Sequence, residues 1–129
     1  SATISAGLTV KGGTVSISAG ATGTTTIAHG GGSAPKLVMA WATRSTDAQL
    51  GFTIGRTTST TLSDHHVMQL FTNSVNGNTQ AEYLFVISVA DNTIYQRAAV
   101  TTLDATNIVW TNATAGGGYA LTVHWTAWF

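Results

Sequence analysis

Asp64-His65-His66 is the one place in this sequence where acid–base and metal-capable side chains fall together. Imidazole is the commonest metal ligand and titrates near neutral pH. A transition-metal site, however, needs three or four converging ligands, and adjacent residues of a strand point to opposite faces. His29 and His124 lie far off in sequence and would have to be delivered by the tertiary fold. The pair therefore reads as a solvated loop, and no metal site is assigned. His124 stands between Thr122 and Thr126, but no Ser lies in a G-x-S-x-G elbow or a comparable nucleophile motif, so no catalytic residue is assigned either. Asp47, Asp64, Glu82, Asp91 and Asp104 contain no D-x-D-x-D loop and no close pair, which leaves neither an EF-hand nor a glycosidase dyad. Asp91 and Asp104 follow expected strands and read as turn formers. The runs Gly30–Gly32 and Gly116–Gly118 lack the Lys-Ser/Thr ending of a phosphate loop. No cofactor is expected.

Aromatic faces are the remaining chemistry, because an indole offers an apolar platform to another subunit or to the C–H side of a sugar. Trp110 shares a face with Ile108 and reads as core. Trp128 falls off the main apolar face, and with Phe129 and His124 it forms the candidate contact set, for a subunit first and a glycan second.

The element that must position these three is the final strand. Tyr119, Leu121, Val123, Trp125, Ala127 and Phe129 alternate with Ala120, Thr122, His124 and Thr126, the period of a half-buried antiparallel strand. Further strands are expected over Leu8–Val10, Thr14–Ser18, Thr24–Ala28, Lys36–Arg44, Leu50–Arg56, Val67–Thr72, Glu82–Ala90, Ile94–Leu103 and Asn107–Thr111. Gly and Asn clusters separate them, and no long stretch has helical spacing. The expectation is an all-β, antiparallel β-sandwich of jelly-roll-like or lectin-like form, a single domain over residues 1–129. The strands Lys36–Arg44 and Glu82–Ala90 are apolar on both faces and are expected to be central. Leu37, Met39, Trp41, Tyr83, Phe85, Ile87, Phe52, Ile54, Leu70, Ile108, Trp110, Leu121, Val123 and Trp125 are the expected core. Residues 1–32 carry no aromatic and read either as an edge strand or two of the same sandwich or as an arm that orders against a neighbouring subunit, with residues 1–13 as its extended part, hinged at Gly12-Gly13.

Composition narrows the partners. Charged residues are 8% of 129, with five basic and five acidic side chains, against a typical value of about 25%. So little repulsion favours association of like copies. The scattered Lys11, Lys36, Arg44, Arg56 and Arg97 give no phosphate track, so nucleic acid is not expected as a partner. No apolar stretch approaches the ~20 residues of a spanning helix, and no membrane partner is expected. Without cysteine there are no disulfides and no thiolate chemistry. Asn112-Ala113-Thr114 fits a glycosylation acceptor, read as incidental because no secretory leader is seen.

Pro35-Lys36-Leu37-Val38-Met39-Ala40-Trp41, then Val100–Asp104 followed by Asn107–Trp110, then Tyr119–Trp128, resemble a group of small β-sandwich proteins of tailed-bacteriophage virions, similar in shape to H-type lectins and other phage fibre sandwiches. The likeness covers residues 28–129. It implies a non-enzymatic structural protein, a head decoration protein that stabilises the shell as a homo-oligomer, and the low-charge sandwich faces lead to the expectation of a trimer. It also implies the major capsid protein as partner and the virion as location, after assembly in the host cytoplasm. The alternative it implies is a carbohydrate-binding adhesion module of a tail or head fibre.

Overall fold

Leu121, Val123, Trp125 and Ala127 are buried in strand β10 (Leu121–Trp128), and the residues between them face outward. That alternation sets the two faces of the sheet containing β10. The computed structural model describes residues 9–45, 52–70, 78–88 and 93–129. Its other strands are β1 (Val10–Ile17), β2 (Gly23–Ala28), β3 (Leu37–Arg44), β4 (Phe52–Thr57), β5 (His66–Leu70), β6 (Asn78–Ala81), β7 (Phe85–Ser88), β8 (Tyr95–Leu103) and β9 (Asn107–Ala115). A 3-10 turn spans Leu62–Asp64. The strands form two antiparallel sheets, ordered β1-β10-β3-β4-β5-β6 and β2-β9-β8-β7. The chain is an all-β sandwich of these two sheets.

The core between the sheets is built around Trp110 of β9 and Phe85 of β7, whose rings meet edge to face with centroids 5.6 Å apart. Ile108, Leu121 and Val123 pack with them, as their alternation indicates. Trp125 also enters this layer, and the pairing register places Gly13 of β1 on one side of it and Ala40 of β3 on the other. A Cβ at Gly13 would meet the indole Nε1 at 3.0 Å, so the ring occupies the space a side chain would need.

That one ring explains two departures from expectation. Gly12 and Gly13 are not a hinge between two short strands: they lie within a continuous β1, paired with Thr126 and Trp125. The arm over 1–13 therefore does not extend through 10–13, which are sheet residues, and residues 1–8 are outside the described set. On β3 the faces are the reverse of those expected. Val38, Ala40 and Ala42 are fully buried, while Leu37, Met39, Thr43 and Trp41 point out, Trp41 to the extent of 40% exposure. Beside Trp125 the inner face has room for alanines and not for a second indole.

β7 is apolar on both faces and wholly buried, but it is an edge strand rather than a central one. An edge leaves backbone groups unpaired, and buried ones must find partners. Gln69 of β5 supplies them from the other sheet. Its Nε2 donates to the Ser88 carbonyl at 2.9 Å, and its Oε1 accepts the Ser88 N–H at 3.0 Å and hydroxyl at 3.1 Å. One glutamine amide thus imitates a neighbouring strand. The lead-in to β7 crosses β4 so closely that a Cβ at Gly55 would overlap the Leu84 carbonyl, which only glycine permits.

β6, with the polar sequence Asn-Thr-Gln-Ala, carries no apolar alternation and was not expected. Tyr119 precedes β10 and packs partly buried against the core. The expected strand ends at Leu8, Leu50, Thr72 and Ala90 lie outside the described residues, as do Asp47 and Asp91.

Gln69→Leu keeps the volume but strands the Ser88 N–H and C=O in an apolar interior. At roughly 1–3 kcal/mol per orphaned group, the expected loss for the two is about 2–6 kcal/mol in the urea unfolding free energy. Met68→Leu, on the outward face of the same strand, is expected to shift it by no more than about 0.5 kcal/mol.

Candidate functional site

The histidines separate into structural and surface groups. His65 is fully buried, contrary to a solvated pair. The Val100 N–H can only donate, and it donates to Nε2 of His65 at 2.9 Å, so Nδ1 carries the proton and donates to the Thr61 carbonyl at 3.0 Å. β8 runs past the point where β7 pairs with it, and the imidazole takes the bond that β7 leaves unmade. His66 is exposed and Asp64 accepts from the Ser59 hydroxyl. Among the described residues no three metal-capable side chains group together.

His29 is likewise buried. The Gly31 N–H donates to its Nδ1 at 3.0 Å, leaving Nε2–H to donate to the Asp104 carbonyl at 3.0 Å. Its ring lies 4.8 Å from that of Phe129. Phe129 therefore leaves the contact set: its side chain is in the core, held against His29 and Gly31, with its N–H donating to the Thr9 carbonyl at 3.0 Å. Asp104 is a turn former, as its position after β8 suggests. Its Oδ1 accepts from the Thr106 N–H at 2.8 Å, the Asn107 N–H at 2.7 Å and the Thr106 hydroxyl at 3.0 Å.

His124 and Trp128 do share a surface, the outer face of the six-stranded sheet. Register builds that face in rows across the strands. One row runs Thr14, His124, Trp41, Ile54, Met68; the next runs Gly12, Thr126, Met39, Arg56, His66; a third joins Val10, Trp128 and Leu37. The Thr14 hydroxyl and His124 Nδ1 are hydrogen-bonded at 3.0 Å. Trp41 and Met68 are each 40% exposed, Val10 is 49% exposed, and Leu37, Met39, Ile54 and Trp128 are half-buried. Arg56 is the one charged side chain of these rows among the described residues.

Strands about 4.8 Å apart and same-face residues about 6.6 Å apart make the band of Val10, Trp128, Leu37, Met39, Trp41, Ile54 and Met68 on the order of 200 Å² in projection. Two tryptophans, two methionines and one arginine, with carboxylates absent and threonines around them, match the make-up of protein interfaces. The sequence pointed to His124 and Trp128 but placed Trp41, Met39 and Ile54 inside. The signal that reassigns them was present, in the small residues Gly13 and Ala40 that flank Trp125.

Comparison with family models, with curated proteins and with solved structures gave no match for this chain.

The Asp104 carboxyl is held below its ordinary value of 3.8, first by the Thr106 N–H, then by the Asn107 N–H and the Thr106 hydroxyl. A lowered folded-state value means a stabilising contribution that is present above the unfolded value and lost as pH falls through the folded one. Asp104→Asn is thus expected to be less stable than wild type at neutral pH. The difference should shrink steadily below pH 3.8, as read from chemical unfolding of both proteins over about pH 2–7.

Proposed function

We propose that this chain is a non-enzymatic structural protein that associates with copies of itself through the outer face of the six-stranded sheet, and that the assembly decorates the head of a tailed-phage particle. The observation that carries the self-association is the row Trp41, Ile54, Met68 with Met39, Leu37 and Trp128 beside it, a broad apolar surface bearing a single charge type. A second copy suits it better than a charged partner, because the whole chain has net charge zero and few charges of either sign. Apolar area contributes about 25 cal/mol per Å² removed from water, which makes each contact modest and a repeated array strong. The assignment to a phage head and to the major capsid protein rests on the sequence resemblance. The homo-oligomer proposed is a trimer, with three such faces turned toward a common axis.

Light scattering at micromolar concentration is expected to give a mass near three times 13.3 kDa. Trp41→Glu, at a position already open to solvent, is expected to yield the 13.3 kDa monomer with its thermal unfolding otherwise preserved. A monomeric wild type would overturn the self-association. Copy number in purified particles tests the location: many copies per particle place the protein on the head, and a handful would move it to the tail.

A further inference from the structure

The other sheet presents a different surface. Tyr95, Arg97 and Ala99 of β8 face outward opposite Ala115, Ala113 and Thr111 of β9. The guanidinium of Arg97 lies 4.1 Å from the centre of the Tyr95 ring and 4.4 Å from that of Tyr83, so both rings hold it. Such cation–π contacts fix a side chain that otherwise loses considerable rotamer freedom on binding a ligand. Its Nε is buried with no hydrogen-bond partner, and no carboxylate pairs with the guanidinium among the described residues. A rigid, partly desolvated guanidinium with no ion pair among the described residues leaves hydrogen-bonding capacity for a ligand.

Beside Arg97 lies a recess of about 280 Å³. Ala99, Ala113 and Thr111 form a low floor, while Tyr83, Leu62 and Glu82 stand around it. Glu82 has a φ of 78°, a conformation rarely adopted by residues other than glycine, and its N–H donates to the His65 carbonyl at 3.1 Å. The strained residue is thus tied to the main chain of His65, whose side chain separately bonds to the other sheet, and strain of this kind persists where surrounding structure enforces it.

We infer that this recess binds an acidic sugar of the uronate class. Arg97 meets the carboxylate, since a planar guanidinium matches a carboxylate through two parallel hydrogen bonds. The Glu82 carboxylate and the Thr111 hydroxyl accept from ring hydroxyls, which a simple anion lacks. The Tyr83 and Leu62 walls and the alanine floor take the C–H face of the ring. The volume suits one hexose unit and not a large ligand. This site deepens the carbohydrate-binding alternative and lies on the sheet opposite the proposed assembly face, so the two readings stand or fall separately.

The test is calorimetric and NMR titration of the full chain with sodium D-glucuronate and D-galacturonate, against D-glucose, acetate and glycine. Binding of at least one uronate about tenfold or more tighter than all three controls is expected, in keeping with a bidentate charge-assisted pair joined by hydroxyl contacts. Arg97→Lys, which keeps the charge and loses the planar fork, should weaken it about tenfold. Ala113→Phe, which fills the floor from a half-exposed position, should abolish it with circular dichroism and thermal unfolding unchanged. Trp41→Glu should bind as wild type does. Equal binding of acetate or glycine, equal binding of glucose, or no uronate binding by a wild type that unfolds cooperatively, whatever its oligomeric state, would each overturn the site.

Discussion

The unpaired backbone edge of β7 is the constraint on which the rest of this sandwich depends. Burying all four of its side chains is favourable only if its free N–H and C=O groups are also satisfied, because an orphaned amide costs more than a typical hydrogen bond contributes. Gln69 answers Ser88 with both ends of its amide, and His65 answers Val100 where β8 outruns β7. Both reach across from the six-stranded sheet. The two sheets are therefore joined at this side by directional bonds as well as by apolar packing, and their separation is fixed closely enough that only glycine fits at position 55.

The surfaces follow from that interior. With the inter-sheet layer filled by Trp110, Phe85 and Trp125, β3 can turn only its small residues inward, and Met39 and Trp41 are left on the outside. The apolar outer face is thus a consequence of core packing that a binding surface can use. On the opposite sheet, the close crossing of the β7 lead-in over β4 and the tie from Glu82 to His65 set Tyr83 beside Arg97. Among the described residues neither surface gathers three metal-capable side chains, and both are suited to holding another molecule.

Alternation made much of the scaffold legible. The polar and apolar sides of β10, the burial of Trp110 and Ile108, the turn at Asp104 and the all-β class all follow from period-two patterning and turn chemistry. β6 escaped because a four-residue polar strand has no amphipathic signal, its place coming from pairing with β5. Of the candidate contact residues, His124 and Trp128 do lie together on a surface. Phe129 does not, because its backbone is tied to Thr9 and its ring finds His29, a partner one hundred residues away in the chain.

By itself, then, the sequence determined that this chain forms short antiparallel strands, where most of them lie, and that it holds no recognisable catalytic motif, since these depend on neighbours two to four residues apart. Tertiary structure decided which face of β3 is inside, whether Gly12-Gly13 bends or pairs, what His65 bonds to, and that Tyr83, Tyr95 and Arg97 converge. The physical reason is one of range. A strand that is apolar on both sides has two equivalent burial solutions locally, and only the volume of the residue paired beside it, here Trp125 between Gly13 and Ala40, makes one of them possible.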